Sequence, residues 1–329
     1  MAIHPQQSAT DVKARRMQRQ PLRNWLRVLR IPNLFTVPAE PVAAFYMASS
    51  ASLRDSVTLA WTLAAILCIY AAGLIWNDVF DRRRDAQARL LRPIAMGLIS
   101  PRVAASVAWL LAGCGSLLAW HVGVVPFAMS IALIASVLAY DRFFKKISVL
   151  GVVTMGLCRG LSFLMGAAAA ATGLSFSARI WIAAAIVTTY VATVTELARR
   201  ERYPHNPSLE VWGPATATLL GLLFFIPFIH EWTWPYSLLI FFVLALPVAA
   251  GAHLHGFRTT RNLPRTLECK ERIVRVLPPW VGYLIAHLLW LSMFFILSAG
   301  ITIDTLTVCA ILLACWLINR VLARWFYAS

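Results

Sequence analysis

The fold is decided by one stretch, VTLAWTLAAILCIYAAGLIWNDVFDRRRD, which covers residues 57–85. Its first part, Val57 to Trp76, is a run of about twenty mostly apolar residues, the length that spans the ~30 Å hydrocarbon core of a membrane. The next nine residues, Asn77 to Asp85, carry three carboxylates and three guanidiniums, in a chain with only 14 acidic residues against 30 basic ones. The stretch therefore predicts a transmembrane helix that ends at a polar site.

The spacing of the acidic residues indicates what that site binds. If the helix continues through them, Asn77, Asp81 and Asp85 recur every four residues, and Asp78 shares a face with the two later aspartates. Like charges on one helical face repel by roughly 0.2–0.5 kcal/mol per pair in water. A cation removes that cost. We therefore predict a site for a hard cation, because a solvated, salt-bridged helix end would explain Arg82 to Arg84 but not the spacing of the acids.

The composition extends the membrane prediction to the whole chain. The hydrophobic fraction is 60% and the mean hydropathy is +0.70, which is too apolar for a soluble domain. We predict an all-α, polytopic transmembrane helix bundle of about ten spans, nine being possible, around a central cavity open to the cytoplasmic side. The ten spans are roughly 33–52, 57–76, 102–120, 122–140, 149–171, 179–198, 212–230, 234–254, 280–299 and 302–319.

The basic residues orient this bundle. All but three of the 30 lysines and arginines fall in the termini or in the loops on the same side as the termini, the exceptions being Arg54, Arg159 and Arg179. The positive-inside rule then predicts an inner- or plasma-membrane protein with both termini on the cytoplasmic side, the same side as the polar site that follows Trp76. The same rule accounts for the net charge of +16, so no nucleic-acid partner is predicted.

Two parts of the chain are distinguished. Residues 1–30 are predicted to form a basic N-terminal segment, and no cleavable signal peptide is expected within them. Within it, Leu22, Trp25, Leu26 and Leu29 predict an amphipathic helix lying on an anionic leaflet, which makes membrane lipids a partner. Residues 31–329 are predicted to form a single transmembrane domain.

Two charged residues lie within predicted spans. Arg159 is costly at that depth, by ~2.5–3.5 kcal/mol on insertion scales, so it must face a cavity or a partner. It either binds oxygens of an anionic ligand in that cavity or pairs with Glu196 or Glu40. Glu40, between Pro38 and Pro41, is expected to face the cavity, where it positions a substrate, accepts a proton or pairs with Arg159.

The acidic stretch and its continuation resemble a known motif. The order N-D-x-x-D-x-x-x-D, followed by Arg92-Pro93 and then by a Gly and a Ser before the next helix, resembles the first aspartate-rich motif of the UbiA superfamily of intramembrane prenyltransferases. The resemblance covers roughly residues 25–255. It implies Mg²⁺ bound at the cytoplasmic end of the second span and bridged to a prenyl diphosphate. The implied metal ligands are Asn77, Asp78, Asp81 and Asp85.

A second loop strengthens the resemblance. Tyr140 closes the fourth predicted span, and Lys145 follows it, with Lys146 close behind. The equivalent loop of UbiA proteins is similar, which implies a cation that touches the diphosphate. Lys145 is the better positional match.

Two features depart from the family. UbiA proteins commonly show nine spans, and they carry a second aspartate motif after the sixth. Here that place holds Glu196 and Glu201 but no aspartate. Either these glutamates replace the motif, or the second metal site is missing and Arg199 or Arg200 neutralises phosphate directly. The sequence Thr195-Glu196-Leu197-Ala198-Arg199, together with Cys158-Arg159-Gly160, resembles a divergent branch of the superfamily, the EboC-like proteins.

The resemblance implies an intramembrane prenyltransferase that moves an isoprenoid chain from a prenyl diphosphate to a lipophilic acceptor, aromatic or a quinone precursor, by Mg²⁺-assisted ionisation. The alternative is a catalytically lapsed UbiA-fold protein that binds or transports a lipid or isoprenoid. The predicted catalytic residues are Asp78, Asp81, Arg159 and Glu196. The predicted substrate-binding residues are Asn77, Arg92, Tyr140, Lys145, Arg199 and Glu40.

Overall fold

A computed structural model describes residues 21–48, 56–87, 92–171, 175–199, 210–229, 234–259 and 267–326. This part of the chain contains α-helices and short 3₁₀ turns and no β-strand. The α-helices are α1 (Pro21–Val28), α2 (Ile31–Leu34), α3 (Ala39–Ala48), α4 (Ser56–Gln87), α5 (Pro101–Val122), α6 (Val124–Arg142), α7 (Ser148–Ala170), α8 (Ala178–Arg199), α9 (Gly213–Phe225), α10 (Trp234–Thr259), α11 (Leu267–Ala286), α12 (Leu288–Ser298) and α13 (Ile303–Phe326).

The predicted spans are largely confirmed. Within the described ranges, nine helical segments are long and apolar enough to cross a membrane, and they correspond to nine of the ten predictions. Ser56–Gln87 runs unbroken through the acidic stretch, as the spacing of its acids requires. The ninth predicted span, 280–299, lies in Leu277–Ser298, where the helix is interrupted at His287.

The first predicted span, 33–52, was wrong as a continuous helix. The chain forms α2 and then α3, separated by the turn that precedes Ala39, and residues 49–52 lie outside the described ranges. A proline restricts the residue before it and cannot donate a backbone hydrogen bond, so Pro38 favours this break. Nearly all of α3 is buried, because it packs against α7, α12 and α8 inside the bundle instead of facing lipid.

Small residues allow the helices of this inner layer to approach closely. A methyl group at Gly156 would lie 2.3 Å from the carbonyl oxygen of Thr188 on α8, and one at Gly160 would lie 2.2 Å from the Thr188 hydroxyl. The absence of a side chain at these two glycines therefore permits the close approach of α7 and α8. Gly166 plays the same part against α3, where a methyl group would lie 2.1 Å from the carbonyl oxygen of Pro41.

The predicted amphipathic helix exists as α1, although its buried face differs from the prediction. Val28 is buried, and Trp25 and Leu29 pack against the core formed by α4 and α5, whereas Leu22 is exposed. The chain then turns at Arg30 into α2, whose Pro32 carbonyl accepts a hydrogen bond of 2.5 Å from Asn319 on α13. Residues 21–34 are therefore held against α4 and α5 and against α13, and they bring Arg30 towards the end of α4.

Candidate active site

A cavity of about 620 Å³ lies between the helices. One end is polar and is lined by Arg30, Asn77, Asp78, Arg92, Asp141 and Lys145. The remainder is mainly apolar and is lined by Ile66, Ile69, Leu133, Val137, Val281 and Leu288, among others. Ile66 and Asp78 both belong to α4 and are twelve residues apart, so the cavity extends about 18 Å along that helix. Its shape therefore suits a molecule with a charged head and an apolar chain.

Two aspartates of the acidic motif, Asp78 and Asp85, form ion pairs with arginines. Arg92 Nη1 lies 3.2 Å from Asp78 Oδ1 and 2.9 Å from Asp85 Oδ2. A second guanidinium, that of Arg30, lies 3.4 Å from Asp78 Oδ1. Both aspartates are buried, so these contacts offset the cost of desolvating their charges. The Arg-Pro element that follows the acidic stretch thus folds back onto it.

Arg30 adopts a conformation that few residues other than glycine favour. Its φ of 46° and ψ of 59° lie in the left-handed region. Such a conformation costs on the order of 1–3 kcal/mol for a non-glycine residue and persists only when its surroundings impose it. Here it directs the chain from α1 into α2 and allows the guanidinium to reach Asp78. The contact between Arg30 and Asp78 therefore depends on a strained backbone conformation at Arg30.

The other two residues of the motif, Asn77 and Asp81, contact Lys145. Its ammonium donates to Asn77 Oδ1 and to Asp81 Oδ2, and it lies 3.9 Å from Asp141 Oδ1. The same ammonium is 5.9 Å from the centre of the Tyr140 ring. Its side chain is only 7% exposed, so the charge sits inside the site and not on a solvated loop. The predicted residues Asn77, Asp81, Tyr140 and Lys145 are thus brought together, although α4 and the Lys145 turn are far apart in sequence.

The predicted charges at membrane depth form one pair. Arg159 Nη1 lies 2.9 Å from Glu40 Oε1, and the guanidinium lies over the Tyr70 ring at 5.4 Å. Of the partners considered for Arg159, the structure selects Glu40. Arg159 lines the cavity, whereas Glu40 is 1% exposed and lies behind it. Among the described residues none donates a hydrogen bond to Glu40 Oε2.

The predicted pair of glutamates near the end of α8 is only partly described. Glu196 Oε2 lies 2.9 Å from Arg199 Nη1, which also donates to the Ser148 hydroxyl at 2.6 Å. Arg199 lines the cavity and Glu196 is not among its lining residues. Glu201 and Arg200 lie outside the described residues. Glu196 is therefore placed to orient Arg199, and its side chain is about one quarter exposed.

Three residues of the site were not predicted to act in it. From the sequence, Arg30 is only one of the basic residues of the N-terminal segment, and Tyr70 is one aromatic residue within a span. Asp141 lies between the predicted residues Tyr140 and Lys145 but is not itself predicted. A buried acid directly after Tyr140 was a usable signal, because an acidic residue is rare in this chain. The position of Tyr70 seven residues before Asn77 gave none, since only the packing of α7 against α4 places Arg159 on its ring.

The donor set fits a magnesium ion without forming a preassembled metal cluster. Within the described residues, no group of three or more His, Cys, Asp or Glu side chains converges on one point. The four predicted ligands are instead paired with basic side chains: Asp78 and Asp85 with Arg92, Asn77 and Asp81 with Lys145, and Asp81 also with Arg84 at 2.5 Å. Carboxylate and amide oxygens are nevertheless the ligands that Mg²⁺ prefers, and it is usually held by one or two carboxylates together with substrate phosphate. Asn77 and Asp78 present such oxygens at the polar end of the cavity.

Known proteins share this sequence pattern and this fold. A digeranylgeranylglyceryl phosphate synthase of Methanothrix thermoacetophila is 32% identical over 165 residues, which are 50% of this chain and 60% of that protein. A 4-hydroxybenzoate octaprenyltransferase of Herminiimonas arsenicoxydans is 28% identical over 225 residues, which are 62% of this chain and 76% of that protein. This chain thus spans less than two thirds of the first relative.

The same architecture occurs in a solved structure. A UbiA homologue from Archaeoglobus fulgidus, bound to DMAPP and Mg²⁺, superposes with a TM-score of 0.53 at 15% identity, over 80% of this chain and 99% of that one. This similarity shows the fold. The chain is therefore an integral, multi-pass membrane protein with a UbiA-like helix bundle. The model of the UbiA prenyltransferase family matches residues 40–267, more than half of the sequence, and the chain belongs to that family.

Proposed function

We propose that this protein transfers an isoprenoid chain from a prenyl diphosphate to a lipophilic acceptor within the membrane. The observation that carries the proposal is the cavity, because one continuous space joins a cluster of basic and oxygen-bearing side chains to an apolar channel. The first matches a diphosphate and the second an isoprenoid chain. Of the two relatives described above, one is named an octaprenyltransferase and the other a digeranylgeranylglyceryl phosphate synthase. Both names refer to prenyl groups, which supports the same reaction class.

The basic residues would bind and stabilise the leaving diphosphate. The guanidiniums of Arg30 and Arg92 can each form two parallel hydrogen bonds to phosphate oxygens, and Lys145 adds a compact positive charge. As the C–O bond of the donor breaks, negative charge accumulates on the diphosphate, and these preorganised cations offset it. Asn77, Asp78, Asp81 and Asp85 would hold Mg²⁺, which when bound supplies further charge neutralisation as a Lewis acid.

The apolar part of the cavity would protect the other product of ionisation. Breaking the C–O bond leaves an allylic carbocation, which water would destroy. Walls formed by side chains such as Ile69 and Val137 exclude water. The rings of Tyr70, Tyr140 and Tyr190 also line the cavity, and aromatic faces attract cations. A nucleophilic acceptor, aromatic or a quinone precursor, then attacks the cation and loses a proton.

The remaining predicted residues would act around this centre. Arg199 lines the cavity and would contact the substrate, with Glu196 and Ser148 holding its guanidinium. Arg159 would form part of the cavity wall at the depth of Tyr70, with Glu40 as its counter-ion.

The proposal also covers the position of the protein in the membrane. Residues 31–329 would form one domain, with α1 at the surface of an anionic leaflet and the polar end of the cavity on the cytoplasmic side. The excess of basic residues on the side of the termini supports this orientation. A prenyl diphosphate would then enter from the side where its charged head is soluble.

The test uses purified full-length protein in lipid nanodiscs with Mg²⁺ and radiolabelled dimethylallyl diphosphate or longer prenyl diphosphates, with a membrane extract as acceptor source. Release of diphosphate and labelled lipid product are both measured. Asp81→Asn is expected to lower the transfer rate by about 10²-fold or more, because electrostatic groups at the reacting centre contribute that much. Asp304→Asn, which changes an acid at the start of α13, is the matched control and should retain activity.

The outcomes separate the two functional classes. Undiminished transfer by Asp81→Asn would contradict the assignment of the acidic motif. Donor binding by the wild-type protein without diphosphate release, with every prenyl diphosphate supplied, would favour the alternative of a lipid- or isoprenoid-binding protein that has lost catalysis.

A further inference from the structure

The atoms that surround the Lys145 ammonium come from two helices. Asn77 Oδ1 and Asp81 Oδ2 on α4 both accept hydrogen bonds from it. Asp141 Oδ1, in the last turn of α6, faces the same ammonium at 3.9 Å. Three side-chain oxygens are therefore arranged around one cation, while the other two aspartates of the acidic motif are held apart from them by Arg92.

The burial of Asp141 has no structural explanation in its own helix. Its side chain is 3% exposed, and it lines the polar end of the cavity. It lies at a helix C-terminus, where the helix dipole disfavours a negative charge. No described residue donates a hydrogen bond to its carboxylate, and the contact with Lys145 is longer than a hydrogen bond. Burial and the dipole thus both oppose the charge, which is favoured by the long ion pair with Lys145 and by the more distant charge of Arg30.

We propose that Asp141 is a further metal-binding residue, which takes the place of the second aspartate motif that this sequence lacks near the end of α8. Together with Asn77 and Asp81 it provides oxygen donors for Mg²⁺ bound to the donor diphosphate. In the free protein the Lys145 ammonium occupies the position between these oxygens. This inference rests on the proposed function and adds a ligand from α6 to the site.

The charges support an exchange between the ammonium and the metal. Two carboxylates and a neutral amide are a usual protein contribution to a Mg²⁺ site that is completed by phosphate and water. When the metal and diphosphate enter, Lys145 is released from the three oxygens. Its side chain then finds a new anionic partner in the diphosphate itself. No buried charge is left alone at any stage, which is the condition for a stable buried ionic network.

The experiment measures metal binding directly, with Mn²⁺ as the probe. Electron paramagnetic resonance reports free Mn²⁺ during titration of the purified full-length protein in detergent, with and without inorganic pyrophosphate. With pyrophosphate, Asp141→Asn should weaken Mn²⁺ binding tenfold or more, in line with the effect of altering groups around metal sites. Glu196→Gln tests the acid near the end of α8, and its loss of affinity should be smaller than that of Asp141→Asn. Asp304→Asn, at the start of α13, is the matched control and should change the affinity less than about twofold. Without pyrophosphate, Lys145→Met should tighten Mn²⁺ binding, because the competing ammonium is gone.

The results distinguish this inference from the proposed function. Wild-type affinity in Asp141→Asn would overturn it, as would a loss of affinity in Glu196→Gln that Asp141→Asn does not share. If Asp141→Asn does not yield a monodisperse protein, Lys145→Met decides, since unchanged Mn²⁺ affinity without pyrophosphate would show that ammonium and metal do not share oxygens. A wild-type protein that binds no Mn²⁺ even with pyrophosphate would overturn the metal assignment of the proposed function itself.

Discussion

The ion pair between Arg159 and Glu40 allows a quantitative test of the buried charges. Arg159→Met is expected to lower the free energy of unfolding by about 3–5 kcal/mol, the usual cost of removing one member of a buried pair. At the observed 2.9 Å and an effective dielectric constant of about 20, the direct attraction is about 6 kcal/mol. The variant loses that attraction and leaves Glu40 desolvated, with an oxygen that already lacks a hydrogen bond from the described residues.

The assay is reversible unfolding in mixed micelles by increasing SDS, followed by the fluorescence of the 13 tryptophans. Arg159→Met, Glu40→Met and the double variant complete a thermodynamic cycle. Methionine has a volume similar to that of glutamate and contributes no charge. Because a buried pair can be replaced by apolar residues at little or no cost, the double variant should recover most of the stability lost in Arg159→Met.

The coupling energy of the cycle and the transfer rate of the double variant answer different questions. Effects that add to within about 0.5 kcal/mol would refute the reasoning, because residues that interact as strongly as this pair must show a coupling energy. The transfer rate of the double variant separates structure from function. A stable but inactive double variant would show that Arg159 contacts the substrate, whereas recovered transfer would show that the pair only supports the cavity wall.

Three further predictions test the packing, the acidic motif and the metal. Gly166→Ala should destabilise the protein by about 1–3 kcal/mol, since the added methyl meets the Pro41 carbonyl at 2.1 Å, while Gly113→Ala, which meets nothing within 4 Å, should not; equal SDS midpoints would contradict this. Arg92→Gln should lower diphosphate release more than tenfold, because two buried carboxylates lose their shared partner, whereas Arg83→Gln on the exposed face should retain the wild-type rate. Chelation by EDTA should abolish release and added Mg²⁺ should restore it; a full rate in EDTA would exclude a metal requirement.

Much of the fold could be predicted because the membrane makes local composition decisive. A run of about twenty apolar residues has few alternatives to a spanning helix when every backbone group must be bonded internally. This is why Ser56–Gln87 and eight other segments appear where the hydropathy placed them. The exception is the first span, since α3 is covered by other helices and therefore need not be long enough to cross the lipid on its own.

The sequence by itself determined the membrane bundle, the presence of an acidic site at the end of α4, and the family pattern of Asn77, the three aspartates, Arg92 and Lys145. Only the tertiary structure decided how these charges are divided. The partners of Arg159 and Asn77 lie 119 and 68 residues away along the chain, and hydropathy carries no information about contacts at such separations. Burial creates those contacts, because a charge removed from water must find an opposite charge wherever packing brings one. That requirement explains the contacts of Lys145 with α4 and Asp141, and those of Arg92 with Asp78 and Asp85.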